Sequence, residues 1–186
     1  MDLFYRSTRS KNETVKASQA ILKGLADDGG LFVPESVPAL DKTLEELSNM
    51  TYQETAYEVM KLFLTDFTEE ELKDCINKAY DSKFDTEEIA PMAKVQDAYY
   101  LELFHGATIA FKDMALQILP HFLTTAMQKT NEDKQAVILV ATSGDTGIMA
   151  GHINCVAPLG MGRATVVADG KRRYAACIGG MVSVMD

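Results

Sequence analysis

Tyr99-Tyr100-Leu101-Glu102-Leu103-Phe104-His105-Gly106-Ala107-Thr108-Ile109-Ala110-Phe111-Lys112-Asp113 leads directly into an amphipathic run that ends at Lys129. The order reads as a strand, a tight loop and a helix. Lys112 sits between an apolar Phe111 and the expected helix start, a place suited to a nucleophilic amine. Lysine forms a Schiff base only as the neutral amine, so that role needs apolar or cationic neighbours that lower its pKa. An ordinary first-turn lysine fits the same spacing.

Downstream, Ala136-Val-Ile-Leu-Val-Ala-Thr142 is a continuous run rich in β-branched residues, the pattern of a strand covered on both faces. Ser143-Gly144-Asp145-Thr146-Gly147 follows without a break. A helix starting near Thr146 would offer free N–H groups and two hydroxyls to a carboxylate or phosphate. The two glycines would let the backbone approach a ligand closely. Asp145 suits a bare anion site poorly; it either caps the backbone or faces a cation or a ligand ammonium.

Leu101-Glu-Leu-Phe-His-Gly-Ala-Thr-Ile-Ala-Phe-Lys-Asp113 and Ala141-Thr-Ser-Gly-Asp-Thr-Gly147 together resemble threonine synthase, a family of pyridoxal-phosphate enzymes with the tryptophan-synthase-β-like fold. The second motif in its generic form also belongs to cysteine synthases and serine/threonine dehydratases; the His-Gly-x-Thr-x-Ala-Phe-Lys-Asp run points to threonine synthase. The family usually has proline where this chain has Ala107. Near the start, Tyr5-x-Ser7-Thr8-Arg9 and Gly24-Leu25-Ala26-x-Asp28-Gly29-Gly30-Leu31-Phe32-Val33-Pro34 resemble the N-terminal region of the same family.

The resemblance covers residues 1 to about 147 and implies a small N-terminal α+β domain (1–95), then the start of a parallel αβα three-layer sheet (96–147). It implies pyridoxal 5'-phosphate as cofactor, held by Lys112 beside Phe111. Ser143, Gly144, Asp145 and Thr146 match the loop that seats the substrate α-carboxylate, and His105 and Thr108 would help line the pocket. A His105 hydrogen-bonded within its own loop is the other reading. The implied reaction converts O-phospho-L-homoserine and water to L-threonine and phosphate. Two alternatives stand beside it: a non-catalytic fragment or interaction module, and another pyridoxal-phosphate lyase such as a serine/threonine dehydratase. The Phe-Lys-Asp context and Asp28-Gly-Gly-Leu-Phe-Val-Pro34 speak against the last.

The 186 residues suffice for one domain with a real core, or a small domain and part of another. A net charge of -9 argues against nucleic acid or an anionic membrane as partner. No apolar run of about eighteen residues suggests a membrane span, and Met-Asp-Leu-Phe-Tyr-Arg lacks the order of a signal peptide. Cys75, Cys155 and Cys177, odd in number and widely spaced, fit a reducing cytoplasm and no metal-ligand spacing.

Residues 148–186 differ from what precedes them. They carry a net +2, leaving -11 on residues 1–147, and hold six of the twelve glycines. They show no sustained periodicity and no family resemblance, and the parts that in this fold type hold the cofactor phosphate and face the pyridine nitrogen find no match. The expectation is a truncated form of the family with a divergent tail, incompetent alone.

Locally, an edge strand or arm is expected over residues 1–9, a helix over 14–26 stopped by Asp27-Asp28-Gly29-Gly30, and a strand at 31–34. Thr51…Glu54 and Thr68…Glu71 are capping boxes that start helices over about 52–64 and 69–80. Tyr52, Ala56, Val59, Met60 and Phe63 form one apolar stripe, and Leu72, Ile76, Ala79 and Tyr80 another. Residues 85–95 read as a connector. The segment 114–127 is apolar nearly all round, which predicts burial, and Pro120 predicts a kink or a break. The strand–helix–strand order predicts a right-handed parallel unit with both motif loops at the carboxyl ends of its strands.

Overall fold

The structure, a computed structural model, describes residues 2–10 and 13–132 in full and the backbone of 138–139, 155–168 and 171–184. The elements are β1 (Tyr5–Ser7), β2 (Thr14–Val15), α1 (Ala17–Lys23), β3 (Phe32–Pro34), α2 (Leu44–Ser48), α3 (Tyr52–Phe63), α4 (Glu69–Ala79), β4 (Met92–Val95), β5 (Ala98–Leu101), α5 (Asp113–Leu116), α6 (Leu119–Thr130), β6 (Ile138–Leu139), β7 (Cys155–Ala168) and β8 (Lys171–Val184). This is the mixed α/β architecture the sequence led us to expect.

β1 is the central strand of a small antiparallel sheet ordered β2-β1-β3, not an edge. It gains that place because Asp28 folds the Asp-Gly-Gly turn back onto it. The Asp28 carboxylate accepts the Ser7 hydroxyl at 2.6 Å and the Gly30 N–H at 2.9 Å, and Arg9 donates to the Asp28 carbonyl. The Ser7 hydroxyl bond, then the Gly30 N–H, hold the Asp28 carboxyl below the usual carboxylate range. A Cβ on Gly30 would lie 2.1 Å from the Ser7 oxygen, so only glycine fits. α1 is shorter at both ends than the expected 14–26: Thr14 and Val15 pair with β1, and Gly24 at φ 68° ends the helix after Lys23, before the expected stop at the Asp27–Gly30 turn.

Both capping boxes form. Thr51 accepts the Glu54 N–H while Glu54 accepts the Thr51 N–H, and Thr68 and Glu71 do the same. Thr43 and Glu46 make a third box, at the start of α2. α1 has an acid from elsewhere in the chain: Asp66 accepts both the N–H and the hydroxyl of Ser18.

The core lies where α4 meets α3, α5 and α6. Cys75, Ile76, Ala79, Tyr80, Phe84, Ile89 and Ile118 are buried together, with Tyr52, Ala56, Tyr57, Met60, Met114 and Phe122 packed on them. A second cluster, Phe67, Leu72 and Ala126, joins α4 and α6 to α1 through Ile21 and Leu22. Tyr57 thus faces the core, whereas Val59, one stripe position of the sequence, is 39% exposed. Lys129 reaches Glu71 at 2.8 Å and fastens α6 to α4.

Pro120 produces a break. α5 stops at Leu116 and α6 begins at Leu119 with the proline in its first turn, where its missing N–H costs nothing. The pair is buried on one side only: Ile118, Leu123 and Ala126 are inside, while Ala115 and Thr124 face outward. This corrects the expectation of a helix buried all round.

Two strand expectations also change. Residues 92–95, read as connector, are β4, and β4 pairs antiparallel with β5 in a two-stranded ribbon. β5 and β6 are therefore not neighbours in one sheet; the parallel ladder here is β6 with β7, which continues into the antiparallel β7–β8 hairpin.

The Tyr80 hydroxyl donates to the Met114 carbonyl at 2.7 Å and ties the end of α4 to α5. Its ring meets Tyr52 edge to face at 4.9 Å. Burial first, then the neighbouring Tyr52, push the Tyr80 hydroxyl above its ordinary pKa, so it stays a donor throughout the useful pH range. Tyr80→Phe should cost about 1–3 kcal/mol, because the Met114 carbonyl is left without that partner. A urea midpoint lowered accordingly with an unchanged slope is the expected result; an unchanged midpoint would contradict it.

Candidate active site

Lys112 sits at the N-terminal boundary of α5, in a loop shaped by the next residue. Asp113 is 1% exposed. Its carboxylate accepts the Thr108 N–H at 2.7 Å and the Thr108 hydroxyl at 2.6 Å. A Cβ on Gly106 would lie 2.5 Å from the Asp113 Cβ and 2.6 Å from one carboxylate oxygen, so glycine is required there. Between them Ile109 has φ 64°, a left-handed conformation that a β-branched residue adopts only when its surroundings enforce it. The turn closes with Ile109 N–H to the Gly106 carbonyl and Asp113 N–H to the Ala110 carbonyl. The loop is thus folded around a buried carboxylate.

Beside Lys112 lies a cavity of about 480 Å³, lined by Tyr52, Leu101, Leu103, Phe111, Met114 and neighbouring small residues. Its wall is almost wholly apolar, and its volume exceeds what a single aromatic cofactor ring needs. This fits pyridoxal phosphate on the lysine side: an amine, an aromatic side chain and a greasy wall. Among the described residues the cavity holds no group placed to take a phosphate or to face a ring nitrogen.

The residues singled out in the sequence divide into four sets, of which His105 is taken below. Lys112 and Phe111 both line the cavity. Thr108 is close by in the chain, but its hydroxyl is committed to Asp113. Ser143, Gly144, Asp145 and Thr146 lie outside the described residues. Among the described residues no cluster of His, Cys, Asp or Glu could hold a metal, and no helix is long and apolar enough to cross a membrane.

His105 is held between two carboxylates. Nδ1 lies 2.5 Å from Asp85 and Nε2 lies 2.9 Å from Glu102, while the Asp85 N–H donates to the His105 carbonyl. Phe104 stacks on the ring at 4.5 Å. The histidine therefore fastens the segment after α4 to the start of the Lys112 loop. The bond to Glu102, then that to Asp85, raise the His105 pKa above its ordinary value, because only the imidazolium can donate from both nitrogens at once. Asp113 and the Asp85–Glu102 pair escaped the sequence reading. A glycine and a threonine shortly before a helix-first aspartate carry the first; no local pattern carries the second.

Comparison with known proteins bears on the same residues. The family model described as threonine synthase N terminus matches residues 4–80, and that of the ATP synthase Delta/Epsilon chain beta-sandwich domain matches residues 121–186. The threonine synthase of Saccharomyces cerevisiae is 38% identical over 162 residues, which is 78% of this chain and 31% of that protein. The crystal structure of the yeast threonine synthase superposes with a TM-score of 0.68 at 36% identity, over 75% of this chain and 30% of its own. The crystal structure of pyridoxal-phosphate-bound threonine synthase from Brucella melitensis gives 0.67 at 33% identity, over 77% and 31%. The chain therefore spans about a third of the length of the relatives it matches.

Because the folded-state pKa of His105 is raised, its contribution to stability is fully present below the unfolded value of about 6.5 and is lost as pH rises through the folded value. The difference in Tm between the wild type and His105→Ala should therefore shrink as pH rises above about 6.5. A difference that is constant, or that grows with pH, would contradict the clamp.

Proposed function

We propose, from the premise that this chain carries the N-terminal portion of the threonine synthase family, that Lys112 is its pyridoxal-phosphate lysine and that the chain contributes one side of a threonine synthase active site. The overall reaction is the conversion of O-phospho-L-homoserine and water to L-threonine and phosphate. One observation carries the reading: the family-like Phe-Lys-Asp sequence places its lysine at the mouth of an apolar cavity, in a loop locked by the aspartate that follows. The cofactor found in the Brucella melitensis relative supports it.

When bound, pyridoxal phosphate supplies an electron sink that lets protons leave carbons next to the substrate amine. The rest falls to the protein. Lys112 Nζ would hold the cofactor and would take and return protons at the substrate carbons. Phe111, Leu101 and Tyr52 would give the bound cofactor an apolar surface beside the lysine. Asp113 acts through the loop, holding the Lys112 backbone where its amine meets that wall. Ser143, Gly144, Asp145 and Thr146 are the proposed seat of the substrate carboxylate. A reducing, cytoplasmic setting belongs to this reading, and the free buried thiol of Cys75 supports it.

The match of residues 121–186 to a beta-sandwich domain, together with the long β7–β8 hairpin, favours a second reading for that end of the chain: a strand-built interaction module joined to a threonine-synthase-like part.

Borohydride reduction of the purified chain with pyridoxal phosphate, followed by peptide mass mapping, separates the two. A stoichiometric adduct confined to Lys112 and absent from Lys112→Ala is expected. Scattered or absent labelling of a folded protein would overturn the cofactor role and leave the binding module.

A further inference from the structure

Leu101 and Leu103 both line the cavity beside Lys112, while Glu102, between them in the chain, gives its carboxylate to the His105 ring. The Glu102 N–H donates to the Pro91 carbonyl at 2.9 Å, which fastens this wall next to Ala90, another lining residue. On the far side of the ring stands Asp85, which follows the core residue Phe84 and whose N–H donates to the His105 carbonyl at 3.1 Å. One imidazole therefore links the cavity wall to the core.

A carboxylate only accepts hydrogen bonds, so two carboxylates on one ring require two ring N–H groups, which the imidazolium alone has. The neutral ring keeps one N–H and turns a lone pair toward the other anion. The two anions are unequal: the Asp85 side chain is 74% exposed and that of Glu102 31%. Asp85 can turn into water at little cost, whereas Glu102 is the worse placed to lose its donor. The neutral ring therefore stays on Glu102 and lets Asp85 go.

We infer that Asp85, His105 and Glu102 form a proton-operated latch on the wall of the Lys112 cavity: the charged ring ties Leu101–Leu103 to the core through Asp85, and loss of its proton frees that wall at the Asp85 end. The charged groups that face the ring are Asp85, from the segment after α4, and Glu102, just after β5; Phe104 stacks on the ring. Both carboxylates favour the imidazolium, so the latch is shut below about pH 6.5 and opens as pH rises through the higher folded value. The three residues position the wall and touch no reacting atom. The inference rests on the proposed function only in taking this cavity as the ligand site.

Native-state amide exchange of the full chain reads both ends of the latch, at the Asp85 N–H and the Glu102 N–H, each rate being taken relative to an unstructured peptide at the same pH. The amides of α4 serve as the internal reference for a folded protein. Wild-type protection at both positions should fall at least about fivefold as pH rises above about 6.5, while α4 is unchanged. Asp85→Asn is the decisive variant, because an amide offers a carbonyl to a ring N–H or an N–H to a ring lone pair and so can hold either form of the histidine. It should keep the low-pH protection throughout, whereas Asp85→Ala should sit at the wild type's high-pH level throughout. Wild-type protection that does not vary with pH would overturn the latch. So would an equal fall in Asp85→Asn, or an Asp85→Ala protein as protected as the wild type at low pH. None of these readings involves pyridoxal phosphate, so the latch and the Lys112 adduct stand or fall separately.

Discussion

A single buried carboxylate, that of Asp113, sets the geometry on which the candidate site depends. Burying an anion is costly unless its lone pairs are filled, and here one threonine supplies both an N–H and a hydroxyl. That requirement propagates. Gly106 must lack a Cβ so that the carboxylate can come close, and Ile109 must accept a left-handed backbone so that the chain can turn back in time. Lys112 is then fixed from its C-terminal side by the residue that does the fixing.

That loop would be worth little if it floated. The Tyr80 hydroxyl anchors α5 to the end of α4, while Ile118 and Phe122 pack α6 into the same cluster. His105 ties the other end of the loop to Asp85, just after the core residue Phe84. The lysine thus stands on helices that are well packed on one side, whereas the β4–β5 ribbon and Phe111 on the other side remain open. Strong positioning on one side and exposure on the other coexist around Lys112.

Much of this was legible in the sequence wherever the cause is local. The two capping boxes start α3 and α4 where their spacing says they should, and Pro120 ends one helix and opens the next. The Asp-Gly-Gly turn and the Phe-Lys-Asp loop fall as read. What was not legible depends on partners distant in the chain or on elements too short for periodicity. α2 has the same Thr…Glu box as its neighbours but only five residues behind it. β4 was hidden because its turn is made by Gln96 at φ 55°, without the glycine or asparagine that marks a hairpin. β1 looked like an arm because its central place comes from Asp28, 21 residues away. The roles of His105 and Thr108 were open for the same reason: each had hydrogen-bonding capacity, and only the fold shows where it is spent.

The most direct measurement of this framework is amide hydrogen exchange at Thr108 in the native protein. If Asp113 organises the loop, the Thr108 N–H should be protected like the amides of α4 in the buried core, although it lies outside any helix or strand. Exchange at the rate of an unstructured peptide would show that the loop is not held by that carboxylate.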